Sequence, residues 1–301
     1  GKVGVCLVTS GPGATNTVTP VRDCMADSVP IVVICGQVPT AAIGSDAFQE
    51  APVAAIMGAV AKHVFLVTDP ARLEATVRTA FEIARTGRPG PVVIDVPKDV
   101  QNWKGAFRGH GRLPVPGYRS RMAQLAANRL GERELGAFFA MLGEAQRPLI
   151  YAGGGVVNGE GAGALRAFAA AFDVPVVTTL MGIGAFDTTH PRSMRMLGMH
   201  GAAFANYAVD DCDFLFAVGS RFDDRVAGVP NKFAKGAKHI AHLDIDASEI
   251  NKVKRVNWSH VGLLSDALVQ LAEYGRARGF RRDWSDWHAH CDALRREYAF
   301  G

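Results

Sequence analysis

Residues 3–8, Val-Gly-Val-Cys-Leu-Val, run without interruption into Thr9-Ser10-Gly11-Pro12-Gly13-Ala14-Thr15-Asn16. An apolar run of strand length, a Gly-Pro-Gly turn and a helix start form one unit. A strand that feeds a helix through so short a turn is paired most simply in a parallel sheet, because the helix carries the crossover. Val3–Val8 reads as a buried strand. Its turn presents backbone and small polar groups at the strand's carboxyl end, where open α/β sheets bind ligands.

The same rhythm continues. Ala14–Ala26 reads as a helix, Pro30–Cys35 as a strand, 36–50 as a loop and Val64–Val67 as a short strand. Asp69-Pro70 caps a helix in which Leu73, Val77, Ala80, Phe81 and Ala84 share a face, and Pro91–Val96 is the next strand. From Lys98 to about Asn128 the period is lost and Gly, Pro and Arg are frequent, so this stretch reads as a linker. Alternation then resumes. Helices are expected at Glu132–Leu142, Gly161–Phe172, Ala202–Val209 and Asp266–Tyr274. Strands are expected at Pro148–Tyr151, Val174–Thr178, Asp213–Val218, His239–Ile245 and His260–Leu264. The tail from Arg281, with Trp284, Trp287 and Tyr298 among charges, reads as a helix whose partner surface lies beyond the C-terminus. The expected class is α/β, with two doubly wound parallel-sheet domains.

At 301 residues the chain has room for about two domains. A net charge of +4, spread along the chain, gives no footprint for nucleic acid. The arginines of 276–282 read as a solvated helix face. The five cysteines are scattered, with no CxxC pair, as expected of reduced thiols in a cytoplasmic protein. The nine histidines show no zinc spacing, and no apolar run approaches the ~20 residues of a membrane span.

Polar and glycine-rich segments recur at strand ends. Gly11-Pro12-Gly13, flanked by Thr9 and Asn16, reads either as a ligand turn or as a bare strand-to-helix turn. In the loop from Gly36 to Glu50, Gln49 offers hydrogen bonds and Phe48 an apolar wall. The structural alternative there makes Asp46 a helix cap and Phe48 core. Gly153-Gly154-Gly155 follows a strand, but Asn158 stands where GxGxxG requires glycine. Gly219-Ser220-Arg221-Phe222-Asp223-Asp224-Arg225 follows another strand. Its arginines suit phosphate, and the alternative is a surface ion-pair cluster. Asp244-Ile245-Asp246 ends a strand with carboxylates suited to ribose hydroxyls. Leu197-Gly198-Met199-His200-Gly201 leads into a helix.

Taken together, these residues resemble the acetolactate synthase (acetohydroxyacid synthase) family of thiamine diphosphate enzymes. The resemblance runs through Thr9–Asn16, Gly36–Pro39, Gly44–Glu50, Lys62-His63, Gly87–Asp99, Leu197–Gly201, Asn206-Tyr207-Ala208, Arg221–Arg225 and Leu243–Asp246. It implies a segment of a three-domain chain. Residues 1–97 would be the end of the pyrimidine-binding domain and 98–128 a linker. Residues 129–278 would be the central FAD-binding domain, and 279–301 a connector towards a diphosphate-binding domain. The activating glutamate would lie before Gly1. The Gly-Asp-Gly motif that holds Mg2+ would lie after Gly301.

By the same resemblance, Thr9, Pro12, Asn16 and Gln49 surround the thiamine ring, and Phe48 and Pro39 line the substrate approach. Arg88, Gly153, Gly154, Gly155, Thr179, Leu180, Leu197, Gly198, Met199, His200, Gly219, Arg221, Asp223, Arg225, Val226, Asp244 and Ile245 contact FAD, whose role in the family is largely structural. The implied reaction decarboxylates pyruvate and joins the remainder to a second 2-keto acid. Its product is 2-acetolactate, or 2-aceto-2-hydroxybutyrate from 2-ketobutyrate, in branched-chain amino acid biosynthesis. A homodimer or homotetramer and a regulatory small subunit are implied, with neither nucleic acid nor membrane as partner. Two other FAD-bearing thiamine activities, glyoxylate carboligase and pyruvate oxidase, stand as alternatives. So does a noncatalytic nucleotide-binding module.

Overall fold

The computed structural model describes residues 2–106 and 111–299. It divides into two compact units, Gly1–Met122 and Ala123–Gly301.

The first unit runs β1 (Gly4–Val8), α1 (Pro12–Thr15), α2 (Val18–Asp27), β2 (Ile31–Gln37), α3 (Val53–Gly58), β3 (His63–Leu66), α4 (Leu73–Arg85), β4 (Pro91–Pro97) and α5 (Lys98–Gln101), and the boundary falls within α6 (Tyr118–Ala127). Its four strands are all parallel, in the order β1-β2-β4-β3. Every residue of β4 is buried. Strand alternation sends Val92, Ile94 and Val96 towards Ala80, Ile83 and Ala84 of α4, and Val93 towards Ala14, Val21, Val53 and Met57 on the other face.

Three expectations change here. Val3–Val8 was expected to be buried, yet β1 is an edge strand with Val5 and Leu7 exposed. An apolar run marks a strand, but its place in the sheet depends on partners far along the chain. The single helix expected over Ala14–Ala26 is two. Pro20 has no N–H for the Asn16 carbonyl and its ring crowds that turn, so the chain breaks and restarts at Val18. The stretch read as linker contains α5 and α6. Tyr118 and Arg119 tie α6 to α4, through Thr86 Oγ1 at 2.5 Å and a two-point pair with Glu82 at 2.9 Å. Residues 107–110 of that stretch lie outside the described residues.

The second unit continues with α7 (Glu132–Glu144), β5 (Pro148–Ala152), α8 (Gly154–Asn158), α9 (Ala162–Phe172), β6 (Val176–Thr178), β7 (Ser193–Met196), α10 (Ala203–Asp211), β8 (Phe214–Val218), α11 (Asp224–Ala227), β9 (His239–Asp244), β10 (Trp258–Val261), α12 (Leu264–Ala277) and α13 (Ser285–Glu297). Six parallel strands lie in the order β10-β9-β8-β5-β6-β7. The chain leaves β5 for β6 on one side and later places β8 on the other, so the strand order reverses between β5 and β8. Phe138 of α7 meets Phe168, Phe214 and Phe216 edge to face at the centre of the core.

The tail corrects another expectation. The partner surface of α13 is the core of this unit. Trp284, Trp287, Cys291 and Leu294 are buried, and the indoles donate to Phe172 O at 2.8 Å and Pro148 O at 2.9 Å. Among the described residues, no helix is long and apolar enough to cross a membrane.

Candidate functional site

In the first unit, Gly11 closes the turn after β1 with φ at 54°. A Cβ there would stand 2.7 Å from the Gln49 carbonyl oxygen, so the turn and the loop after β2 are packed backbone to backbone. Thr9, Pro12, Asn16 and Gln49 all stand exposed around this apposition. Two segments far apart in sequence therefore meet at one end of the sheet.

The loop holds itself in shape. Glu50 accepts hydrogen bonds from the amides of Gly44 and Ala47, and these, Gly44 foremost, hold its carboxyl below the ordinary range. Asp99 accepts from the Thr40 amide at 2.9 Å and hydroxyl at 2.5 Å, anchoring the loop's entry. Asp46 and Gln49 take positive φ, 57° and 61°. The alternative that made Asp46 a helix cap and Phe48 core fails. The next helix starts only at Val53, and Phe48 is 89% exposed. A phenylalanine held out beside a polar turn leaves an apolar ring uncovered next to hydrogen-bonding groups.

A cavity of about 790 Å³ opens at the carboxyl ends of β1, β2 and β4. Leu7, Ile34, Leu73, Val77, Ile94 and Val96 form its apolar floor, and Thr9, Ser10, Gly36, Lys98 and Gln101 contribute to its lining. Lys98 and Gln101 were not singled out from sequence. The available signal was position, since both directly follow β4 at the ligand-binding edge. Pro39 is exposed at the start of the loop. Arg88 reaches the C-terminus of α2, donating to Ser28 Oγ at 3.0 Å and Ala26 O at 3.2 Å.

In the second unit, the glycines sit at the switch point. Gly153 and Gly155 donate their amides to Val218 O at 2.9 Å and Gly219 O at 3.0 Å. A Cβ on Gly153 would fall 2.2 Å from Gly219 O, so glycine is what lets the ends of β5 and β8 touch. Beyond Gly219, the Arg221 guanidinium lies 3.4 Å from Asp223, whose carboxylate also accepts from the Arg225 amide at 3.1 Å. Asp244 is buried at the end of β9 and takes the Asp246 amide at 2.9 Å, with Ile245 half-buried beside it.

The remaining strand ends converge on the same edge. Thr179 accepts from the Gly182 amide at 3.0 Å and leaves Leu180 exposed. Gly198 exchanges hydrogen bonds with the Asn206 side chain, at 2.8 and 3.0 Å. The Met199 amide donates to Arg225 O at 2.8 Å, joining Leu197–His200 to Arg225 and Val226. Met199 and His200 are exposed and Leu197 is buried. Exposed Leu180 and Met199, with two arginines and a strand-end carboxylate, fit a flat ring, phosphates and hydroxyls of a dinucleotide. Among the described residues, no group of three or more His, Cys, Asp or Glu side chains is placed to hold a metal ion.

Residues 1–57 match the thiamine pyrophosphate enzyme N-terminal TPP binding domain, and residues 135–271 match the thiamine pyrophosphate enzyme central domain. The chain is 44% identical over its whole length to the acetolactate synthase large subunit of Corynebacterium glutamicum, covering 47% of that protein. It is 44% identical, again over its whole length, to acetolactate synthase 1, chloroplastic, of Oryza sativa subsp. japonica, covering 46% of it. Acetolactate synthase of Arthrospira platensis is 46% identical over 91% of this chain and 47% of its own. The chain spans about half the length of the curated relatives it matches. Two domain models of one family, and this identity along the entire sequence, show that the chain belongs to the thiamine pyrophosphate enzymes, in the acetolactate synthase family.

Proposed function

We propose that this chain serves acetolactate synthesis: thiamine-dependent decarboxylation of pyruvate and carboligation to a second 2-keto acid, pyruvate or 2-ketobutyrate. The observation that carries the reading is the apposition of Gly11 and Gln49, which puts Thr9, Asn16, Gln49 and Phe48 at one sheet end. These polar groups suit a substituted pyrimidine ring, and the exposed Phe48 suits the wall past which a keto acid enters. Thiamine diphosphate, when bound, supplies the electron sink that decarboxylation of a 2-keto acid requires. This chain's part is to bind and orient. Gln49 is held in its left-handed backbone by Gly11 behind it, and Glu50 fixes the loop on its own amides. Residues 1–97 then belong to the pyrimidine-binding domain.

The second unit, from residue 129, is proposed to hold FAD. Arg221 and Arg225 would meet its phosphates, Asp244 its hydroxyls, and Leu180 and Met199 its flat rings. Residues 153–155, 179, 197–200, 219, 223, 226 and 245 would complete the cradle. Magnesium belongs to the proposed holoenzyme, but no described residue group fits it and no step here is assigned to it. The Corynebacterium relative is named a large subunit, which supports a smaller partner subunit; a regulatory role for that partner, and a homodimer or homotetramer of this chain, belong to the same proposal. A cytoplasmic enzyme of branched-chain amino acid biosynthesis is the matching setting.

The test is direct. The complete protein, supplied with thiamine diphosphate, magnesium and FAD, should turn two pyruvates into one acetolactate and one carbon dioxide. Hydrogen peroxide production, or a preference for glyoxylate, would overturn the reading.

A further inference from the structure

We propose that Gln37 is the latch that closes the loop carrying Phe48 and Gln49, and that Asp95 is the positioning residue that orients it. The inference rests on the thiamine-site reading of that loop. Gln37, the last residue of β2, is buried, and its amide makes three hydrogen bonds. Oε1 accepts from the Val38 amide at 2.9 Å, while Nε2 donates to Ala51 O at 2.9 Å and to Asp95 Oδ2 at 3.0 Å. Val38 and Ala51 are the two ends of the loop, so one side chain fastens both.

A glutamine amide can flip, and a flipped Gln37 would set its oxygen against Ala51 O and its NH2 against the Val38 amide. An ionised Asp95 only accepts, so it admits Nε2 alone and thereby sends Oε1 to Val38. Asp95 stands on β4, the most enclosed strand of the sheet, and among the described residues its Oδ1 has no hydrogen-bond partner. A carboxylate kept there, in an otherwise apolar strand, is a poor choice for packing and a good one for fixing a neighbour's orientation.

Amide hydrogen exchange on the complete protein tests this. In Gln37→Met, amides of residues 38–51 should exchange at least tenfold faster than in the unaltered protein, with β2 and β4 unchanged. Asp95→Leu should behave the same way, and Asp95→Asn, whose amide can accept from Nε2 but can also donate to a flipped Oε1, should restore only part of the protection. Unchanged loop exchange in Gln37→Met, or no difference between the two Asp95 variants, overturns the latch. If Gln37→Met does not fold, the Asp95 pair alone decides. Kinetics separate the two readings. A fall in kcat for pyruvate with little change in KM supports a latch acting on the site. Faster loop exchange with turnover untouched leaves the latch standing and removes Phe48 and Gln49 from the thiamine site.

Discussion

Asp95 is the one ionisable residue in a strand otherwise made of apolar side chains. Burial pushes its carboxyl up to about 6, and the Gln37 hydrogen bond offsets part of that rise. A raised folded value means that the native state holds the proton more tightly than the unfolded chain does, though at neutral pH the carboxyl is still ionised. The stabilisation is therefore complete below about pH 4, the ordinary range for an unfolded aspartate, and is lost as pH rises to about 6. A carboxyl raised from about 4 to about 6 on folding corresponds to about 3 kcal/mol. The stability of the unaltered protein minus that of Asp95→Asn should thus fall by about 2 kcal/mol between pH 4 and pH 7, most of that total. Urea unfolding of the pair across that range checks it, and a flat difference would show that Asp95 ionises freely in the fold.

Gly11 makes the other residue-scale prediction. Gly11→Ala sets a methyl 2.7 Å from the Gln49 carbonyl at a φ of +54°, so either the turn or the loop must move. The expected loss is about 1–3 kcal/mol, read by thermal unfolding. Gly11 was legible in the sequence because a Gly-Pro-Gly after a strand announces its geometry. Its partner was not, since nothing local ties residue 11 to residue 49. Gln37 and Asp95 were invisible for the same reason: each reads as a polar residue near a strand end, and only the register of β2 on β4 brings them together.

Among the elements, α13 shows what periodicity gives and what it withholds. Trp284, Trp287, Cys291 and Leu294 recur at near-helical spacing, so the apolar stripe was readable. Its destination was not, because a stripe names no partner. The answer lies in the indole hydrogen bonds, Trp287 to Pro148 O at the head of β5 and Trp284 to Phe172 O at the end of α9. Trp287→Ala should destabilise the second unit by about 3–5 kcal/mol, through lost volume and an abandoned carbonyl. Denaturant unfolding followed by near-ultraviolet circular dichroism would register it, and a loss below about 1 kcal/mol would show that α13 is only loosely attached. The strand β7 escaped the sequence reading because Ser193-Met-Arg-Met is short and its pairing with β6 is irregular. The helix α3 escaped because its six residues are too few to display a period.

For the whole molecule, the two parallel sheets were legible from the alternation of strands and helices, and so was the rule that ligands meet them at carboxyl edges. What the sequence left open was the use of the glycines. Gly153 and Gly155 spend their amides on the β8 loop, so the phosphate-binding work proposed for this unit passes to Arg221 and Arg225. One sheet carries the proposed thiamine edge and the other the proposed flavin edge, so substitutions should separate the two. In the complete protein, Arg225→Ala removes the charge-assisted contact proposed for the flavin phosphates, and flavin affinity should fall ten- to a hundredfold, at about 1.5–3 kcal/mol. Its side chain is exposed, so folding should be little changed. Gln49→Ala should instead lower pyruvate turnover at least tenfold while the visible flavin absorbance per protein stays the same. Both variants are to be measured for both readouts. Normal flavin retention in Arg225→Ala would take that arginine out of the flavin site, normal turnover in Gln49→Ala would take the glutamine out of the thiamine site, and loss of both signals in either variant would mean that the two edges do not act separately.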